Sequence, residues 1–418
     1  MLTHTQNLPA AGGLTLSAKA IAAAIVAAAM LMSTIVFSEP AIADALMAIV
    51  IVAIPTLRVV RFGPVAFTNF AMLLVFVALG IVGTGMSVTF ETAIVHQTVT
   101  LFLASGAFVL AGYIGADPVR RVTLVFWCYV AACLIATAAA FIGYFNLMPS
   151  AYDLFTNYGR ARGTFKDPNV YGAALVPAIT FAAWIMLREP AKRATIAAFV
   201  ALPLLIGLLI SFSRGAWIST AVSLVILLVL TTITSRRRTD LSRLGVFGMA
   251  GIAAASIALF AIFQVEQVRN LFEERASLDQ SYDVGPDGRF GGQEKARNLI
   301  LENPFGIGTH TFRDKYHHEE PHNVYLSMFL NAGWVGGLLY ALTVVTTLVI
   351  GLRGAMFNGA LQGGFVVASA AFAGVAFEGF VIDSDHWRHV FILMACIWGL
   401  ADALPPVIDT SRRRDDAV

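Results

Sequence analysis

Three histidines and two glutamates lie close together in the C-terminal third of the chain, in the run His317-His318-Glu319-Glu320-Pro321-His322-Asn323. Imidazole and carboxylate groups ligate metals, and a neutral imidazole also accepts protons near pH 7. The spacing matches no established zinc signature, however, and consecutive residues in a loop rarely converge on one ion. We therefore predict no metal at this run and no cofactor for the chain.

Arginines supply a second kind of chemistry, the binding of anions. Arg214 stands in Ser211-Phe212-Ser213-Arg214-Gly215, at a seam between two strongly apolar segments. A guanidinium at a membrane boundary is costly, so Arg214 is a candidate functional residue. The alternative is a side chain that reaches the interface and merely anchors a helix end. Arg289, in the same polar stretch as the histidines, is a second candidate, for which the alternative is a solvated loop charge.

The composition indicates what kind of scaffold must position these residues. Of the 418 residues, 58% are hydrophobic and only 13% are charged, and the mean hydropathy is +0.75. Soluble domains carry about a quarter charged residues, so we predict an all-α polytopic integral membrane protein that forms one membrane domain over residues 1–418. The net charge of +2 is too small to suggest a nucleic-acid partner. The three cysteines, which lie within apolar segments, have no disulfide or zinc spacing.

Apolar stretches of about twenty residues, long enough to cross roughly 30 Å of hydrocarbon, recur along the chain. We predict about twelve transmembrane helices, at residues 17–37, 41–60, 66–86, 96–115, 119–145, 168–187, 194–212, 214–234, 244–264, 323–350, 361–381 and 388–405. Two connections are long and polar: a smaller loop at 146–167 and a longer one at 266–321, in which residues 293–302 have the spacing of a short amphipathic helix. His322 and Asn323 open the tenth span, where a helix start is well placed to meet an anionic ligand.

The distribution of basic residues predicts the orientation of the spans. Arginine and lysine fall in every second connection, which places those connections and both termini in the cytoplasm. The loops 146–167 and 266–321 and the seam at Arg214 then face the opposite side together. Both loops carry positive charge against the usual bias, including Arg162 and Lys166, so we expect that charge to have a local use.

Four segments together resemble the O-antigen ligase and polymerase superfamily, bacterial membrane enzymes that transfer glycans from a polyprenyl diphosphate carrier at the periplasmic face. They are Arg162-Gly163-Thr164-Phe165-Lys166-Asp167-Pro168-Asn169, then Ser211-Phe212-Ser213-Arg214-Gly215, then Gly288-Arg289 with the short helix and Asn303-Pro304-Phe305-Gly306-Ile307-Gly308, and finally His322-Asn323 with Asn331, Gly333 and Gly336-Gly337. Each segment alone is weak. Their order, spacing and common membrane side make the likeness specific, and it covers most of the chain from about residue 100 onward.

The resemblance implies a glycosyltransferase of the GT-C type that inverts the sugar and uses no metal. It places the functional core on Arg214, Arg289 and His322: the arginines hold the diphosphate, and His322 is the base or the group that orients the acceptor. Three further side chains are expected to help bind the diphosphate or glycan, namely Arg162, Lys166 and Asn323. The implied partners are an undecaprenyl-diphosphate-linked glycan donor, membrane lipid, and either an acceptor glycan or lipid A core.

The sequence leaves the activity itself open between several readings. The stretch between Arg289 and His322 is compact for a lipopolysaccharide ligase. A polymerase of an exopolysaccharide or O-antigen is therefore the alternative to a ligase. A transporter or flippase for lipid-linked glycans is a rival, but such proteins place charges deep within their spans, and here the span centres are nearly free of charge. A partner that only holds the glycan lipid for another enzyme is a third reading. The expected location is the bacterial inner membrane, with the site facing the periplasm.

Overall fold

The computed structural model describes residues 12–235, Gly245 and residues 285–405, with side chains described from residue 18 onward. This part of the chain is mostly α-helical. In chain order the elements are α1 (Gly12–Leu31), α2 (Ile42–Thr56), α3 (Pro64–Thr84), α4 (Phe90–Ala116), α5 (Pro118–Tyr144), α6 (Ala151–Phe155), β1 (Thr156–Asn157), β2 (Arg160–Ala161), α7 (Pro168–Arg188), α8 (Ala191–Ile210), α9 (Arg214–Thr234), α10 (Arg289–Glu302), α11 (Val324–Met356), α12 (Gln362–Glu378) and α13 (Arg388–Asp402). A π-helical turn covers Phe312–Tyr316.

Seven of the described helices are long and apolar enough to cross a membrane, namely α3, α4, α5, α7, α8, α9 and α11. Others, among them α2 and α12, are apolar but shorter. Described helices lie at eleven of the twelve predicted span positions, and the remaining one, 244–264, falls outside the described residues except for Gly245. The prediction of an all-α polytopic membrane protein is therefore confirmed, whereas the count of about twelve spans is not.

Helix α13 lies at the centre of the bundle. Every residue from His389 to Leu400 is buried, and a helix buried on all sides belongs to the interior. Its N-terminus is tied to α2, since Arg388 Nε and Nη2 each lie 2.8 Å from a carboxylate oxygen of Asp44. This ion pair therefore holds the end of the segment that precedes α13 against α2.

The connections between helices gather at two ends of the bundle. At one end, Asp402 accepts hydrogen bonds from the amides of Gly63 (3.0 Å) and Val65 (2.8 Å), and the buried Arg121 donates to the Val59 carbonyl (2.6 Å). The other end carries the segments 146–167, 285–323 and 379–387, and we call it the loop-rich end. The described part of the longer predicted connection, 285–321, thus lies at the same end as the loop 146–167.

The loop 146–167 contains a small β-hairpin that an all-α reading did not anticipate. Thr156 pairs with Ala161 and Asn157 with Arg160 in antiparallel register, and Tyr158 and Gly159 form the turn. Both turn residues have positive φ, 52° and 70° respectively. Two-residue turns of this handedness match the twist of paired strands, so this short local pairing forms without a larger sheet.

Helix α11 is broken at Gly333, whose backbone has φ 70° and ψ −174°. The break frees backbone groups, and the loop 303–308 satisfies them: the Ile307 amide donates to the Leu330 carbonyl (2.8 Å), and the Trp334 amide donates to the Pro304 carbonyl (2.9 Å). An interrupted helix in a membrane requires such compensation. The glycine-containing segment after α10 and the glycine inside α11 therefore form one structural unit.

Replacing Gly333 with alanine is expected to lower the stability of the folded chain by about 2 kcal/mol or more. Its φ of +70° is a conformation that side chains rarely adopt, and a Cβ there would lie 2.6 Å from the Pro304 carbonyl oxygen. Thermal unfolding of the detergent-purified protein measures the effect. Gly359→Ala is the matched control, because its nearest neighbour would be 3.8 Å away. Equal melting temperatures for the two variants would contradict the assignment of strain to Gly333.

Candidate functional site

The segment 379–387, which joins α12 to α13, is the centre of the candidate site. The Phe380 carbonyl oxygen accepts hydrogen bonds from Gln293 Nε2 on α10 (3.3 Å) and from Asn323 Nδ2 (3.1 Å). Asn323 also caps α11, since its Oδ1 accepts the Leu326 amide at 3.2 Å. Both side chains are buried. The N-terminal parts of α10 and α11 are thus held against one backbone carbonyl.

His322 precedes that cap and is held at three points. Its Nε2 lies 2.9 Å from Glu319 Oε2, its amide donates to Asp383 Oδ2 at 3.0 Å, and its carbonyl accepts from Gln293 Nε2 at 3.2 Å. The backbone has φ 50°, a left-handed conformation that is uncommon outside glycine and that clusters at functional sites. Because the side chain is still 30% exposed, the imidazole is fixed in place and remains accessible.

Two carboxylates flank the His322 imidazole. The hydrogen bond from His322 lowers the pKa of Glu319. On the other side, Asp383 Oδ2 lies 3.8 Å from His322 Nδ1, and Asp383 Oδ1 accepts the Ser327 hydroxyl at 2.5 Å. Burial raises the pKa of Asp383 to about 6. Both carboxylates favour the cationic imidazole that forms when His322 accepts a proton.

Arg289 is the first residue of α10, and its position relative to His322 follows from the helix itself. Gln293, four residues later, lies on the same face of the helix. Since Gln293 bonds to the carbonyls of His322 and Phe380, Arg289 lies on the face of α10 that meets them. The helix N-terminus adds the positive end of the backbone dipole to the guanidinium charge.

Arg214 is the first residue of α9 and occupies an equivalent place on a second helix. Ser213 caps this helix, because its hydroxyl accepts the Ala216 amide at 3.3 Å. Gly215 lies against Glu378, the last residue of α12: a Cβ on Gly215 would be 2.9 Å from Glu378 Oε1. The N-terminus of α9 therefore packs where segment 379–387 begins, which is why glycine follows arginine at this seam.

Arg160 joins the loop 146–167 to this seam, although the sequence had not identified it as a site residue. The side chain is buried, and its Nε donates to the Ser211 carbonyl (2.8 Å) while its Nη2 donates to Asn169 Oδ1 (2.6 Å). Its signal in the sequence is only that of one more basic residue in a basic loop. Arg160 differs from the other basic residues of this loop, Arg162 and Lys166, in being buried, and only the folded structure shows this.

Arg162 holds its own loop together. Its guanidinium donates to the carbonyls of Leu154 (3.2 Å), Lys166 (3.3 Å) and Asp153 (3.4 Å). Three backbone acceptors around one guanidinium fix the loop ahead of α7. The structure thus gives Arg162 a place in the fold of this loop.

Lys166 lines a cavity of about 180 Å³ between the loop 146–167 and segment 379–387. Asp383 lines the same cavity, so one carboxylate contacts both His322 and this space. The Lys166 ammonium also lies 3.1 Å from the Glu39 carboxylate, but both side chains are about half exposed, so the pair is weak. The remaining wall includes three aromatic side chains, namely Tyr129, Phe165 and Trp387. Aromatic walls with a few placed polar groups are typical of ligand sites.

The other histidines of the run 317–322 do not converge on His322. The His317 ring packs against Gly292 and stacks on Phe312 with 5.7 Å between ring centroids, and His318 is exposed. Within the described ranges, the three side chains whose potential ligand atoms come within 4.8 Å of one another are elsewhere: His96, Asp385 and His386. Asp385 and His386 are adjacent in the sequence, but nothing there links them to the distant His96.

Comparison with known proteins agrees with the resemblance drawn from the motifs. Residues 197–341 match the family model described as O-antigen ligase, and this range contains Arg214, Arg289 and His322. A search of curated proteins finds no match. The family match supports the O-antigen ligase and polymerase superfamily, and the predicted resemblance is thereby confirmed.

Proposed function

We propose that this chain transfers a glycan from undecaprenyl diphosphate to an acceptor sugar hydroxyl at the periplasmic face of the bacterial inner membrane. The observation that carries the proposal is the meeting of α9, α10 and α11 at segment 379–387. Arg214 and Arg289 begin two of these helices, and His322 precedes the third. Two guanidiniums, helix N-termini and a fixed imidazole supply the groups that transfer from a diphosphate requires.

The proposed reaction is a single inverting displacement. The acceptor oxygen forms a bond to the anomeric carbon as the bond from that carbon to the diphosphate oxygen breaks. The electron pair of the broken bond stays on undecaprenyl diphosphate, where Arg214 and Arg289 stabilise the growing negative charge. The acceptor proton passes to His322, or His322 orients the hydroxyl as it attacks. Lys166, Arg162 and Asn323 contribute to the surroundings of the diphosphate and glycan, and the step itself uses no metal.

The distribution of charge supports an enzyme over a transporter. In the described membrane helices, charged residues lie near the helix ends, as with Arg188, Arg214, Glu378 and Arg388. Transporters of charged substrates instead place ionisable groups near the midplane. Between the two enzymatic readings, a ligase acting on lipid A core comes first and a polymerase acting on another repeat unit is its alternative.

The test is reconstitution of the purified chain with an undecaprenyl-diphosphate-linked glycan. Lipid A core and lipid-linked repeat units are supplied separately as acceptors, with and without EDTA. Glycosylated lipid A core identifies a ligase, and a ladder of lengthened glycans identifies a polymerase. Loss of product in EDTA under conditions where the chain remains folded, with recovery on adding a divalent ion, would contradict the metal-free chemistry. Movement of labelled donor across liposomes without any product would replace the enzyme with a flippase.

A further inference from the structure

A compact group of metal-ligand side chains lies beside the candidate site. His96 Nε2, near the start of α4, is 3.0 Å from Asp385 Oδ2, and His386 Nε2 is 3.7 Å from the same oxygen. The two imidazole rings lie with centroids 4.1 Å apart. Asp385 is buried, and the side chains of His96 and His386 are 15% and 29% exposed. Two nitrogens and one oxygen therefore meet in a largely enclosed space.

Protein groups compensate this arrangement only in part. The buried Asp385 Oδ2 has His96 Nε2 as an ion-pair partner at 3.0 Å, but the described residues make no well-directed hydrogen bond to it. A buried carboxylate is costly unless it is fully compensated, and native structures usually supply the rest as a donor, a water or an ion. His386 Nε2 lies 2.9 Å from the Thr100 hydroxyl, which in turn donates to the His96 carbonyl at 3.1 Å. The hydroxyl proton is thus already used, so without a metal His386 Nε2–H donates to Thr100, and a bound metal would take the place of that proton.

The distances fit a small divalent ion bound at the centre. With bonds of about 2.0–2.1 Å, the ligand atoms of tetrahedral zinc lie about 3.3–3.4 Å apart, close to the separations of 3.0 Å and 3.7 Å observed here. Imidazole suits zinc and other late transition metals, whereas magnesium and calcium prefer oxygen ligands throughout. We propose that His96, Asp385 and His386 bind a zinc ion, with water or the Thr100 hydroxyl as the fourth ligand. This departs from the expectation, drawn from the sequence, of a chain without metal.

The position of the group indicates what such an ion would do. It joins α4 to segment 379–387, two residues beyond Asp383, which itself bonds to His322 and Ser327 on the other side. The ion would therefore clamp the segment that holds the candidate site together. It plays no part in the proposed transfer step, and its presence can be tested without any assay of that reaction.

The test is the zinc content and thermal stability of the tag-free full-length chain in detergent. After exposure to zinc and desalting, we expect about one zinc ion per chain by mass spectrometry. His96→Gln and His386→Gln are expected to bind zinc at least about tenfold more weakly, because each removes one ligand. Zinc should raise the melting temperature of the parent chain above its value in EDTA, and not that of the variants. Cobalt in place of zinc should give the visible absorption of a four-coordinate site.

His318→Gln is the matched control, because it removes an exposed histidine of the same end of the molecule. It should bind zinc as the parent does. Melting temperatures of the variants in EDTA, compared with the parent in EDTA, distinguish loss of the metal from loss of the fold. The proposal is overturned if the parent retains less than roughly a fifth of an ion per chain. It is equally overturned if zinc leaves the parent's melting temperature unchanged, or if both ligand variants keep their zinc.

Discussion

An Arg289→Ala variant is expected to transfer glycan about a thousandfold more slowly than the parent chain. The leaving diphosphate gains negative charge as the sugar departs, and a guanidinium at the start of α10 stabilises it with paired, charge-assisted hydrogen bonds. Because this interaction strengthens in the transition state, the loss should appear in kcat more than in KM. Steady-state transfer from the lipid-linked donor measures both.

The form of the arginine side chain matters as well as its charge. Arg289→Lys keeps one positive charge but loses the planar guanidinium, whose paired N–H donors match a phosphate. We therefore expect the transfer rate to fall by more than about tenfold. Arg297→Ala is the control, because Arg297 is exposed on the same helix and its removal should change the rate little. Full activity in Arg289→Ala, or an equal loss in Arg297→Ala, would remove Arg289 from the site.

Arg214 provides a test of whether the two arginines share one anion. If both grip the same diphosphate, the double variant Arg214→Ala with Arg289→Ala should lose less than the product of the two single losses. Fully multiplicative losses would indicate two independent roles. This measurement is informative because the two residues begin separate helices that meet at one segment.

The helical framework could be predicted from the sequence because lipid imposes few solutions on a backbone. Unsatisfied backbone groups are too costly in hydrocarbon, so apolar runs of sufficient length become helices wherever they occur. That rule located the described helices but not the break in α11, since a lone glycine within a helical pattern has many possible causes. The break depends on Pro304 and Leu330 lying close to Gly333, which only the folded chain brings about.

The site was partly predictable for a related reason. Arg214 and His322 lie at boundaries between apolar and polar sequence, where an ionisable residue is costly and is therefore a functional candidate. Segment 379–387 carries several polar residues in the sequence, among them Asp383 and His386, but their partners are not visible there, and Gln293 is one of many polar residues in its loop. Their importance arises from contacts between residues far apart in the chain, such as Gln293 with Phe380.

The histidines show which kind of metal site cannot be predicted from spacing in the sequence. The adjacent histidines at 317–322 suggest a metal site but have the wrong spacing for one, and in the structure the His317 ring packs against Phe312, Gly292 and the His318 ring. The ligand set that does converge contains His96, which had no neighbours in the sequence to mark it. Spacing rules recognise sites built from one or two local segments, and they do not detect ligands contributed by distant helices.

A His322→Ala variant is expected to lose between about a hundredfold and ten-thousandfold in kcat/KM, the range of a general base. The imidazole is positioned for this role, since Glu319 holds Nε2 at 2.9 Å and Asp383 lies 3.8 Å from Nδ1. Transfer kinetics as a function of pH should show a fall on the acid side in the parent, because a protonated imidazole cannot accept the acceptor's proton. His318→Gln, on an exposed neighbour, should leave both the rate and the pH profile unchanged.

His322→Gln separates the two roles left open for this residue. Glutamine can hydrogen-bond an acceptor hydroxyl but cannot take its proton, so a base predicts a loss close to that of alanine and a flattened acid limb. An orienting group predicts substantial recovery with glutamine and an acid limb like that of the parent. Glu319→Gln adds a graded test, with an expected loss of about tenfold if its carboxylate stabilises the imidazolium. Unchanged kinetics in both His322 variants would show that the proton leaves by another path, and the role of His322 would reduce to its structural contacts ahead of the Asn323 cap.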